Sequence, residues 1–122
     1  MEKKIYCFDL DGTLCTVHRT RHYLPGKSPD KVYELAQPFV DRIKLVNDIY
    51  DKGHTVLIDT ARGKGHDLEE KQRWYGMTVR QLNDWGVKYH QLRVGVKLVA
   101  DKYIDDRGMS DTMFFLEPGK TE

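Results

Sequence analysis

The sequence predicts an α/β domain with a mainly parallel, doubly wound sheet, and three observations predict it. Short apolar runs of strand length recur along the chain, first at Lys4 to Phe8 and then at Val56 to Ile58. Between them lie longer segments whose apolar residues repeat at helical spacing, and strands that alternate with helices imply parallel pairing. Both apolar runs also open directly into acids, hydroxyls and glycine, as expected where an open α/β sheet keeps its chemistry beyond the carboxyl ends of its strands. At 122 residues the chain is long enough for one hydrophobic core and one catalytic unit, so residues 1–122 are read as one domain.

The elements follow in order. Lys4-Ile5-Tyr6-Cys7-Phe8 reads as a buried strand, and Gly12 lets the chain turn sharply as it leaves that strand. Residues 15–30 are polar, with Pro25-Gly26 and Ser28-Pro29 breaking any period, so they form a loop or flap beside Asp9 and Asp11. From Gln37 to Lys52, the positions Phe39, Val40, Ile43, Val46, Ile49 and Tyr50 recur helically, with Pro38 in the first turn and Gly53 as the stop. Val56-Leu57-Ile58 gives a second strand, ending in Asp59-Thr60-Ala61-Arg62-Gly63. Leu68 to Trp85 gives a second helix stopped by Gly86, in which Trp74 and Trp85 read as core or interface residues. A third strand is expected within Val87 to Val94, a fourth at Tyr103-Ile104 and a fifth at Met113 to Leu116.

Composition narrows the function. Charged residues make up 32% of the chain but leave a net charge of only +1, so no global basic field argues for nucleic acid or an anionic membrane. No signal peptide or spanning run is present in the pattern, which makes a cytoplasmic protein with no membrane partner the expectation. Cys7 and Cys15 lack CxxC spacing and read as a buried strand thiol and a near-surface thiol rather than a disulfide or metal site. His18 and His22, four apart, invite a zinc reading, but Pro and Gly break the segment and no third ligand is near. His54, His66 and His90 are scattered and read as surface or interface residues.

Phe8-Asp9-Leu10-Asp11-Gly12-Thr13-Leu14 resembles the first motif of the haloacid dehalogenase superfamily of phosphoryl-transfer enzymes. Thr60, then Lys97 four residues before Asp101, then Tyr103-Ile104-Asp105-Asp106 stand in the order of that superfamily's later motifs. The strings Thr60-Ala61-Arg62-Gly63 and Tyr103-Ile104-Asp105-Asp106, with the stretch Gln81 to His90, are similar to a small branch annotated around capsule and polysaccharide biosynthesis phosphatases. The resemblance runs from about Lys4 to Phe115 and implies a Rossmann-like fold without a cap domain.

It also implies roles. Asp9 is the nucleophile that forms an aspartyl-phosphate, and Asp11 is the general acid and base. Thr60, Ala61 and Lys97 bind the transferred phosphoryl group, with Lys97 preferred over Lys102. Mg²⁺ is the implied cofactor, a hard cation suited to Asp9, the main chain of Asp11, and Asp105 or Asp106, between which the sequence does not choose. Arg62, Arg19 and Arg21 are candidate substrate contacts, and for Arg62 structural pairing with an acid stays equally open. Asp59 departs from the pattern, since an apolar residue usually precedes the motif threonine. An acid there either weakens anion binding or orients Arg62.

The expected activity is Mg²⁺-dependent hydrolysis of a phosphate monoester, with a sugar phosphate or related metabolite favoured. The enzyme alternative is a nucleotide or nucleic-acid end phosphatase, and the alternative of another class is a non-catalytic regulatory or scaffold subunit. Trp74, Tyr75 and Trp85 on one helix would suit a homo-oligomer that covers an otherwise open site.

Overall fold

A computed structural model describes residues 2–18, 33–63, 67–97 and 100–116. Within them the order is β1 (Ile5–Phe8), a 3₁₀ turn (Tyr33–Leu35), α1 (Val40–Asp51), β2 (Thr55–Thr60), α2 (Leu68–Asp84), β3 (Gln91–Val94) and α3 (Asp111–Phe114). The three strands form one parallel sheet in the order β1-β2-β3. Register sets Phe8 beside Ile58 and Ile58 beside Leu92. All three are buried, and with Val56 they share a core cluster with Ile43, Val46 and Ile49 of α1 and Leu82 of α2. Side chains alternate across a strand, so both long helices cover one face of the sheet. The opposite parity, Cys7, Leu57, Asp59, Gln91 and Arg93, is half-buried to exposed.

The parallel α/β class therefore holds, but the doubly wound layout does not appear among the described residues. That layout needs a reversal in strand order and helices on both faces. The expected fourth strand is also absent there. Tyr103 and Ile104 carry no strand pairing and are exposed, Ile104 at 95%. Met113 to Leu116 is not a strand either, because Ser110 caps a short helix through its Oγ, which accepts from the Met113 amide at 3.2 Å. The third strand is confined to Gln91–Val94.

Both long helices form where the periodicity places them, but Val40, Leu68 and Tyr75 of the expected apolar stripes are exposed. α1 starts after Phe39, so Pro38 lies before the helix rather than in its first turn. Pro38 instead bridges to Cys15, while Phe39 donates its amide to Leu14 O at 2.9 Å and Thr16 to Gln37 O at 2.9 Å. Those contacts tie the start of the expected flap to the segment that leads into α1; residues 19–30 of that flap, Arg19 and Arg21 among them, lie outside the described residues. α2 begins at its N-cap Asp67, whose carboxylate accepts from the Glu70 amide at 2.9 Å. His54 is buried rather than at the surface, and its Nδ1 accepts from the Lys4 amide at 3.1 Å.

Candidate active site

Two carboxylates leave β1 and are held by different parts of the chain. The turn after the strand closes through Leu14 N to Leu10 O at 2.8 Å and Gly12 N to Cys15 O at 2.8 Å, with Gly12 at φ 84°. A left-handed backbone at that point suits glycine, and Ala there would strain the loop that aims both acids.

Asp9 faces a cavity of about 540 Å³ beside the edge of β1. Thr13 donates its hydroxyl to Asp9 Oδ2 at 3.2 Å, and Lys97 donates its ammonium to Asp9 Oδ1 at 3.0 Å. Lys97 also lies 5.3 Å from the centre of the Tyr103 ring. With a side chain 40% exposed, Asp9 stays open to an incoming ligand. Asp105 lines the same cavity, where its Oδ1 accepts the main-chain amides of Gly108 and of Arg107, the latter at 2.7 Å. Those amides, Gly108 first, hold the Asp105 carboxyl below the usual carboxylate range. Apolar walls complete the cavity through Tyr6, Met109 and Phe114.

Asp11 points elsewhere. Its carboxylate meets Arg62, which donates from Nη2 to Oδ1 at 2.8 Å and from Nε to Oδ2 at 3.0 Å. Arg62 is 1% exposed, and α2 holds it from the other side: Nη1 donates to Thr78 Oγ1 at 3.1 Å and to Gln81 Oε1 at 2.7 Å. The guanidinium also lies 4.8 Å over the Tyr33 ring, and Gln81 returns a hydrogen bond to Tyr33 O at 2.8 Å. A buried charge so fully paired is well satisfied, whereas removing one partner strands the other at a cost of about 3–5 kcal/mol. Arg62 thus pairs with an acid, the structural one of its two expected roles.

Cys15 completes this second cluster, its thiol 3.6 Å from Asp11 Oδ1 and pushed up to about 12, first by desolvation and then by the Asp11 carboxylate. Cys7, expected as the buried strand thiol, is exposed on the face of β1 away from the core, and its pKa is also raised, by desolvation and then by Asp59.

The remaining expected residues divide. Thr60 is buried at the end of β2, where its Oγ1 accepts from the Arg62 amide at 3.2 Å. Thr60, Ala61 and Arg62 do not line the cavity that Asp9 and Lys97 share. Asp106 is exposed and likewise off the cavity wall, as is Lys102. Asp59 faces Arg93, with Nε 3.8 Å from an Oδ1 that accepts no hydrogen bond among the described residues. It therefore does not orient Arg62. No group of three or more His, Cys, Asp or Glu gathers at metal-binding spacing among the described residues.

No family model matches the chain, and no curated protein matches it. Among solved structures the chain is similar to a structural-genomics target from Vibrio cholerae, with a TM-score of 0.62 and 24% identity over 93% of this chain and 87% of that one. At that identity the likeness speaks for the α/β fold alone. No described helix is long and apolar enough to cross a membrane.

Several site residues carried no clear mark in the sequence. Thr13 sits four residues after Asp9, and its hydroxyl was the available local donor for that acid. Arg42 anchors the turn from α1, donating to Thr13 O at 3.0 Å and to Asp111 Oδ2 at 2.8 Å while packed over the Phe39 and Phe115 rings. Thr78 and Gln81, three apart on α2, share the helix face that receives Arg62, a spacing visible in the sequence without the guanidinium that explains it.

Proposed function

We propose that this protein is a Mg²⁺-dependent phosphomonoester hydrolase of the haloacid dehalogenase type, a capless member acting on a sugar phosphate or related small metabolite. The observation that supports it best is an acid at the end of β1 that opens to a cavity with a lysine ammonium beside it. Asp9 opens to that cavity, while the half-buried Asp11 is paired with the buried Arg62 away from it.

The chemistry follows from that pair. An Asp9 carboxylate oxygen attacks phosphorus, the phosphorus bond to the ester oxygen breaks, and the leaving alkoxide takes a proton from Asp11. Water then attacks the aspartyl-phosphate, Asp11 takes the water's proton, and the bond from phosphorus to the Asp9 oxygen breaks to release inorganic phosphate. Lys97 offsets charge on the transferring group, since its ammonium already lies beside the nucleophile. The oxygen donors suit a hard divalent cation: Asp9 and Asp105 line one cavity, and it is the Oδ1 of Asp105 that accepts the amides of its own turn. Asp105 is therefore the favoured acid over Asp106, with the main-chain carbonyl of Asp11 as a third donor. When bound, Mg²⁺ supplies the neutralisation that lets one anion approach another.

Asp9→Asn should lower phosphate release from an aryl phosphate by at least about a thousandfold, the scale of losing a covalent nucleophile. Excess EDTA should abolish turnover and added Mg²⁺ restore it. Wild-type turnover in Asp9→Asn, or full activity in EDTA, overturns the reading.

A further inference from the structure

We infer that Asp59 sets the substrate class of the Asp9 cavity: its carboxylate receives a hydroxyl of the leaving group, so the site takes the phosphate ester of a polyol or sugar rather than of a plain alcohol. The inference rests on the phosphatase reading and adds to it the residue that selects the part of the substrate beyond the phosphate.

The position comes from the sheet. Ile58 is the register partner of Phe8, so Asp9 and Asp59 follow at the ends of adjacent parallel strands, which lie about 4.8 Å apart. Both line the cavity that Lys97 shares. A phosphoryl group held by Asp9 and Lys97 therefore has Asp59 at the next strand end.

Among the described residues, Asp9, Asp59, Asp105 and Asp111 are the acids of the cavity wall, and the chain supplies donors to all but Asp59. Asp9 accepts from Thr13 and Lys97, Asp105 from the amides of Arg107 and Gly108, and Asp111 from Arg42. The Asp59 carboxylate accepts no hydrogen bond among the described residues. Its Oδ1 is enclosed, so the open part of the carboxylate is Oδ2, on a side chain 23% exposed. A largely buried anion without a donor is costly, and a bound group that donates to it recovers that cost.

Arg93 narrows what donates. It is the register partner of Asp59 on β3, with Nε 3.8 Å from Oδ1, near enough to balance the charge and too far to hydrogen-bond. Asp59 thus has a counter-charge and lacks a donor, which favours a neutral hydroxyl over an ammonium. Met109 and Phe114 offer apolar wall to the carbon skeleton that carries the hydroxyl.

Three esters of similar size test it: glycerol 1-phosphate, n-propyl phosphate and O-phosphoethanolamine, each with Mg²⁺ present. Wild type should prefer glycerol 1-phosphate over n-propyl phosphate by about tenfold or more in kcat/KM, the scale of a hydrogen bond to a charged acceptor. Asp59→Leu should bring that ratio to within about twofold of one, through KM rather than kcat, because the contact serves the ground state and the transition state alike. Asp59→Asn, close in shape and with one acceptor oxygen kept, should give an intermediate ratio and stands in if Asp59→Leu does not fold.

A wild-type ratio near one overturns the inference. So does the full wild-type ratio in Asp59→Leu, which would leave Asp59 a residue of the sheet edge. Preference for O-phosphoethanolamine over glycerol 1-phosphate overturns it too, since the carboxylate would then select charge. Those results are distinct from failure of the phosphatase reading, in which wild type releases no phosphate from any of the three esters or Asp9→Asn remains active, and which takes the inference with it.

Discussion

At the scale of single residues, the two acids of Asp9-Leu10-Asp11 are separated by what lies across from each. The sequence places both at the end of a strand, and strand ends are local. It does not say that Lys97 comes to one and Arg62 to the other, because those partners stand 88 and 51 residues away. The same distance hid the state of Cys15, which reads as a near-surface thiol in sequence and is buried beside Asp11. Its pKa is raised from 9.0 to about 12, so the folded protein keeps the proton through a range in which the unfolded chain releases it. The native state then binds more protons than the unfolded one, and stability falls as pH rises from about 9 to about 12. Thermal unfolding across that range should show a declining Tm, and Cys15→Ala should show a flatter decline; equal slopes would remove Cys15 as the cause. Below pH 9 the thiol stays neutral in both states and contributes no slope.

At the scale of elements, the long helices were the most legible. Their apolar residues repeat every three or four positions, which a sequence displays directly, and α2 also carries an N-cap in Asp67. Asp67→Ala should cost about 1 kcal/mol, a fall in Tm of roughly 4 °C for a domain of this size, while Asp67→Ser should recover most of it. Calorimetry of the two variants checks this, and an unchanged Tm for Asp67→Ala would show that the cap bond is not stabilising. Short strands were less legible. Tyr103-Ile104 has strand-forming residues, but two residues make no ladder without a partner, and no strand pairs with them among the described residues. Met113 to Leu116 misled for a different reason: β-forming residues there follow Ser110 and Asp111, and the cap outweighs the propensity.

At the scale of the whole molecule, charge and topology set what the site can meet. The net charge is +1, and the cavity wall mixes Lys97 and Arg107 with Asp9, Asp59, Asp105 and Asp111. Among the described residues a wall so mixed offers no continuous basic track for a phosphate backbone. Between 50 and 200 mM salt, kcat/KM for a small sugar phosphate should fall less than about threefold, whereas an enzyme gripping six or more backbone phosphates would lose about a thousandfold. A loss of the larger size on an end-phosphorylated oligonucleotide that is also the better substrate would favour the nucleic-acid alternative.

By itself the sequence determined the parallel α/β class, the two long helices and the acids at the end of β1, because periodicity and strand ends are written within a few residues of one another. Only the tertiary structure decided that one sheet face carries both helices, that Asp9 shares a cavity with Lys97 and Asp105, and that Arg62 grips Asp11 rather than facing a ligand. Those outcomes depend on packing between segments far apart in the chain, where burial leaves a charged group no choice but to find its opposite.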